Sequence, residues 1–136
     1  MKKYALDTNI ISYILKRNDG ITKNFVTEKE KGNTFNIPPL VYYEINRGLL
    51  SINATKMMKE FDKLCRQLKV GEMNRKIWNE AIKIYATLKN QGKLIEDADI
   101  FIAAYCIIYN YVLVTNNKNH FERVNDLDFI EWKENL

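Results

Sequence analysis

The run from Asp99 to Tyr109, DIFIAAYCIIY, reads as a helix that is apolar on almost every side. Such a helix has no face to offer water, so it must lie between a sheet and other elements. Its apolar stretch, Ile100 to Tyr109, is too short to cross a bilayer, which takes about 20 such residues. A buried layer helix is therefore expected, and no membrane span. The chain has 136 residues, 46% hydrophobic and 28% charged, which suits one globular domain and is enough to enclose that helix in a core. One domain over residues 1–136 is the expectation.

The rest of the chain supplies the sheet. Tyr4-Ala5-Leu6 and Val112-Leu113-Val114 are short apolar runs, each followed directly by polar residues. Thr34 to Ile37 and Phe129 to Trp132 offer two more strands, and Lys69-Val70 a minimal fifth. Between them lie helical patterns: Ile10 to Lys16, a helix up to about Lys31, one from Pro38-Pro39 to about Leu50, Ala54 to Leu68, and one that Asn74 can cap and Gly92 can stop. Asn53 is the candidate cap for the Ala54 helix, whose stripe of Met57, Met58, Phe61, Leu64, Cys65 and Leu68 reads as core. On the next helix the apolar face reads as Ile77, Trp78, Ala81, Ile82, Tyr85 and Leu88. Strands alternating with helices imply right-handed crossovers and a mainly parallel sheet covered on both faces.

Several functional classes recede on composition. Cys65 and Cys106 are the only cysteines and share no metal-like spacing, so neither a disulfide framework nor a zinc site is expected, and a reducing cytoplasm fits. Met1-Lys-Lys-Tyr-Ala-Leu-Asp meets an acid at once, which leaves no apolar stretch for a signal peptide. A net charge of +4 and a pI near 9.0 favour polyanions, whose phosphate backbones a positive surface attracts.

Ligands of an open parallel sheet bind beyond the carboxyl ends of its strands. Asp7 follows Leu6 there, and Thr115 to Asn117 follow Val114, so one cleft can hold both. Each acid also has an ordinary reading. Asp7 or Thr8 can cap the next helix, Glu44 can be a surface glutamate, and one of Glu96, Asp97 and Asp99 can cap the buried helix. Capping does not account for three acids so close together, because like charges repel unless something positive neutralises them. An oxygen-rich, cysteine-free cluster suits magnesium or manganese, ions that lower the pKa of a water and neutralise charge developing on a phosphate. His120, the only histidine, reads as a loop or capping residue rather than a general base.

These residues together resemble a PIN-domain ribonuclease of the VapC toxin type. The match runs through Leu6-Asp7-Thr8-Asn9, Glu44-Ile45 with Arg47-Gly48, Asp97-Ala98-Asp99-Ile100-Phe101-Ile102-Ala103-Ala104, and Leu113-Val114-Thr115-Asn116-Asn117 with Phe121. The resemblance implies a three-layer α/β/α PIN-like domain with a mainly parallel sheet of four or five strands. It implies that Asp7, Glu44 and Asp99 are catalytic and bind one or two Mg2+ or Mn2+ ions, with Asp97 auxiliary. Asn117 takes the family's fourth acidic position, where toxins of this kind often carry asparagine. Pro38 stands where many members have Ser or Thr.

Asn9 and Thr115 would support the carboxylates, and Lys16, Arg17, Lys118 and Arg123 are candidates to hold RNA phosphates. The resemblance further implies a type II toxin–antitoxin module, with inhibition by a cognate antitoxin and a homodimer. It leaves open whether the substrate is initiator transfer RNA, another structured RNA or messenger RNA. Two other readings stand beside it. One is a catalytically silent domain that grips RNA or a protein. The other is a haloacid dehalogenase-type phosphohydrolase, which wants an acid where this chain has Asn9.

Overall fold

The computed structural model describes residues 1–134, so the last two positions of the expected domain lie outside it. In chain order the elements are β1 (Lys3–Leu6), α1 (Thr8–Leu15), α2 (Asp19–Glu30), β2 (Thr34–Asn36), α3 (Pro39–Ser51), α4 (Thr55–Leu68), α5 (Arg75–Asn90), α6 (Asp97–Tyr109), β3 (Val112–Val114), α7 (Lys118–Phe121) and β4 (Phe129–Ile130). The four strands form one sheet in the order β2-β1-β3-β4, and every pairing is parallel. Helices flank the sheet in an α/β/α arrangement.

Ala5, Leu6, Leu113 and Val114 are completely buried, as central strands covered on both faces require. Lys69-Val70 does not become a fifth strand. Lys69 sits at φ 66°, and only Val70 makes an isolated parallel bridge to Ile37. A residue in the left-handed region breaks the extended geometry that a strand needs.

The helix α6 is buried as its composition requires, with Ile102, Ala103, Ala104 and Cys106 fully enclosed. It ends at Asn110 in the left-handed conformation, a role asparagine tolerates. Asn74 caps α5 by accepting from the Ile77 N–H at 3.0 Å, and Gly92, at φ 67°, follows its end.

Two details depart from the sequence reading. Asn53 does not cap α4; it adopts φ 52° in the preceding turn, and Ala54 holds the cap position with no side-chain bond. On α5 the buried face is Ile77, Ala81, Ile84 and Leu88, while Trp78, Ile82 and Tyr85 are exposed. The face turns because a spacing of four, three and four residues follows the α-helical repeat more closely than the fuller apolar set does.

The strand order places the site. From β1 the chain crosses to β2 on one side, while β3 lies on the other side of β1. The gap between β1 and β3 is therefore the point where chain direction switches, and loops leaving those two strands diverge to leave a crevice.

Candidate active site

Asp7 is the first residue after β1, and its backbone N–H donates to Val114 O at 3.0 Å, which extends the ladder to the crevice. Its side chain is almost fully buried. Oδ1 accepts from the Thr8 N–H at 2.8 Å, so Asp7 does cap α1, and Oδ2 accepts from the Thr115 hydroxyl at 2.7 Å. Asn9 bridges the two strand ends: its Nδ2 lies 3.4 Å from Asp7 Oδ2, and its Oδ1 accepts from the Asn116 N–H at 3.2 Å. Asn9 and Thr115 thus both touch Asp7.

Burial raises the Asp7 pKa to about 6, and the Asp99 and Glu44 charges push it in the same direction against the hydrogen bonds from Thr115 and Thr8. Like charges that destabilise a buried carboxylate at neutral pH mark a place that favours a cation.

Glu44 comes from α3. Pro38 and Pro39 open that helix with no side-chain cap, since proline supplies neither hydroxyl nor N–H there. The Glu44 side chain is only 18% exposed, its Oε1 accepts from the Thr8 hydroxyl at 2.9 Å, and Oε2 lies 3.7 Å from Arg47. It is therefore not a free surface glutamate. Thr8, which the sequence offered only as an alternative cap, is the hydroxyl that joins α1 to Glu44.

Asp99 lies in the first turn of α6 and faces the loop after β3. Its Oδ2 is 2.7 Å from His120 Nδ1 and 3.5 Å from Asn117 Nδ2, and Asn117 Nδ2 is 2.9 Å from the same ring nitrogen. His120 does not lie in a loop. The residue belongs to the short helix α7, whose one turn returns it beside Asn117. A histidine three residues after a candidate site asparagine was the available signal. Asp97 is exposed in the same first turn of α6, and Glu96 holds the cap position without a side-chain bond.

The candidate cations divide. Lys16 lines a groove of about 260 Å3 together with Thr8, Ser12 and Glu44, and Lys118 is exposed at the start of α7. Arg17 turns instead toward Glu60 of α4, at 3.7 Å, and Arg123 donates to the backbone carbonyls of Lys93 and Leu94.

The donor set of Asp7, Glu44 and Asp99 fits a hard divalent cation by its chemistry: all ligand atoms are oxygen, and the deepest carboxylate is destabilised by its neighbours. Among the described residues, however, no group of three or more His, Cys, Asp or Glu side chains stands ready to hold a metal ion. Glu44 and Asp99 are instead engaged by Thr8 and His120.

A parallel α/β/α domain with a buried aspartate at its switch point, flanked by two further acids, defines a PIN-type fold. The family model of the PIN domain matches residues 4–127, and the chain belongs to that family, among its VapC ribonucleases. It is 31% identical over 130 residues to ribonuclease VapC1 of Haemophilus influenzae, covering 95% of this chain and 97% of the relative. It is 34% identical over 125 residues to ribonuclease VapC1 of Methanocaldococcus jannaschii, covering 91% and 82%. Among solved structures, VapBC-1 from nontypeable Haemophilus influenzae superposes with a TM-score of 0.84 at 30% identity over 96% of this chain and 98% of that one. VapBC2 from Rickettsia felis, bound to a promoter DNA fragment, does so at 0.88 and 27% over 96% and 99%.

Proposed function

We propose that this chain is the toxin of a type II toxin–antitoxin module, a Mg2+- or Mn2+-dependent endoribonuclease acting in the cytoplasm as one domain. The observation that carries the reading is the buried Asp7 carboxylate, raised toward neutrality beside Asp99 and Glu44 at the switch point of the sheet. The named relatives are ribonucleases, and the superposed structures pair such a protein with an antitoxin.

In this reading Asp7, Glu44 and Asp99 hold the cation, with Asn117 beside Asp99 and Asp97 at the rim. A divalent cation bound there supplies a water of lowered pKa and neutralises charge developing on the phosphate. The chain's own work is positioning. Thr115 and Thr8 fix the two oxygens of Asp7, Asn9 ties the β1 and β3 ends, and Thr8 orients Glu44. Lys16 and Lys118 are placed to meet RNA phosphates. A second copy of the chain and a cognate antitoxin are the proposed protein partners.

A silent RNA-gripping domain is the competing reading, favoured by the lack of a ready-made metal group among the described residues. Incubating the purified protein with transfer RNA, initiator included, messenger RNA and DNA separates the two. Cleavage of RNA but not DNA, blocked by EDTA and by the co-expressed antitoxin, supports the nuclease. Tight RNA binding without cleavage in either metal supports the silent domain.

A further inference from the structure

We infer that His120 is a positioning residue for Asp99, holding one carboxylate oxygen through Nδ1 so that the other is presented to a cation. The inference rests on the proposed metal-dependent reading and adds a residue to it.

The geometry around Asp99 Oδ2 carries the argument. His120 Nδ1 lies 2.7 Å from it. Both atoms are acceptors when unprotonated, so a contact this short needs a proton between them, and the Nδ1–H tautomer of imidazole supplies it. The Asn117 amide nitrogen lies 2.9 Å from the same Nδ1 and cannot donate to a nitrogen that already carries hydrogen. Its N–H is left to Asp99 Oδ2, at 3.5 Å. Two donors thus converge on Oδ2, while Oδ1 has no hydrogen-bond partner among the described residues.

The support behind the ring is rigid. Asn117 is anchored by its backbone N–H to the Thr115 hydroxyl, which also holds Asp7. Phe121, next to His120, is completely buried. The Asp99 side chain is 14% exposed and that of His120 34%, so the pair is sheltered but reachable from the crevice. Asn117, a neutral amide where the family often has an acid, allows the arrangement, since a second carboxylate beside Asp99 Oδ2 would repel it.

The contact is made at the δ position of the ring, and this gives a discriminating test. An asparagine at 120 carries its amide nitrogen close to the place of Nδ1, whereas a glutamine carries its own further out. Mn2+ binding to metal-free protein is measured by calorimetry for wild type, His120→Ala, His120→Asn, His120→Gln and Asp7→Asn, with thermal midpoints alongside. The expected result is Mn2+ affinity reduced about 10- to 100-fold in His120→Ala and His120→Gln, largely restored in His120→Asn, with the midpoints of the three His120 variants close to wild type. The 15N spectrum of the wild-type imidazole should show the Nδ1–H tautomer and should change in Asp99→Asn.

Undiminished affinity in His120→Ala, while Asp7→Asn abolishes binding, overturns the role of His120 and leaves the metal site standing. Equal recovery by glutamine and asparagine, or an Nε2–H tautomer in wild type, overturns it too. Absence of Mn2+ binding in wild type overturns both the inference and the metal-dependent reading.

Discussion

The Thr115 hydroxyl donates to Asp7 Oδ2 at 2.7 Å, joining two residues 108 positions apart at adjacent strand ends. The same hydroxyl oxygen accepts from the Asn117 N–H at 2.9 Å, so one side chain fixes both the deepest carboxylate and the loop after β3. Thr115→Val keeps the shape but leaves Asp7 Oδ2 with only the longer Asn9 contact, and the Asn117 N–H with none from Thr115. Stability should fall by about 1–3 kcal/mol, and RNA cleavage by about 10- to 100-fold. Thr115→Ser should recover most of both. Denaturant midpoints and single-turnover rates on one RNA check this.

The raised pKa of Asp7 makes a pH prediction for the metal-free protein. The folded state holds the proton up to about pH 6, while the unfolded state releases it near 3.8. Between those values the folded state binds more protons, so the Asp7 contribution to stability falls as pH rises through the window. Below it the penalty is absent, and above pH 6 it is complete. Two pKa units correspond to about 3 kcal/mol at most. Asp7→Asn should therefore stabilise metal-free protein at pH 8, less whatever its altered hydrogen bonds cost, and that advantage should shrink by pH 4. Urea titrations of both proteins at the two pH values measure the difference.

Phe121 is buried with no exposed surface and anchors the short helix that carries His120. Phe121→Ala should cost about 3–5 kcal/mol through the cavity it leaves. Cleavage should fall as well under conditions where the variant remains folded. A variant that loses stability alone would show that α7 keeps its position without this anchor. Thermal midpoints and rates at low temperature distinguish the outcomes.

Lys118 and Arg123 should behave differently despite their equal charge. Lys118 is exposed beside Asn117, whereas Arg123 is tied to the carbonyls of Lys93 and Leu94 between α5 and α6. Lys118→Ala should weaken RNA binding and reduce the salt dependence by about one phosphate contact. Arg123→Ala should lower stability and leave that slope unchanged. Filter binding of a catalytically inactive variant over a salt series reads both.

Much of this was legible in the sequence, for identifiable reasons. The apolar α6 and the runs before Asp7 and Thr115 fixed a covered parallel sheet, because backbone groups and apolar faces leave few other arrangements. That Asp7 and Thr115 emerge at one edge followed from two strands ending in polar residues, whereas the supporting role of the Thr115 hydroxyl was implied by the family resemblance. The contacts between elements were harder to read. Thr8 bonding Glu44, His120 bonding Asp99 and Arg17 turning to Glu60 depend on how helices pack across the sheet, which no local pattern encodes. Trp78 and Ile82 were placed inside because they are apolar, yet an exposed apolar residue is ordinary on a protein surface.

The central claim is that Asp7, Glu44 and Asp99 act together through a divalent cation to cut RNA. The most direct measurement is the single-turnover cleavage rate of wild type, Asp7→Asn and Asp99→Asn on one structured RNA, in EDTA and after Mn2+ is restored. The account predicts cleavage by wild type only when the metal is present, with each variant reduced at least about 100-fold, the upper end of what losing a supporting contact costs. Cutting that persists in EDTA, or full activity in both variants, would contradict it.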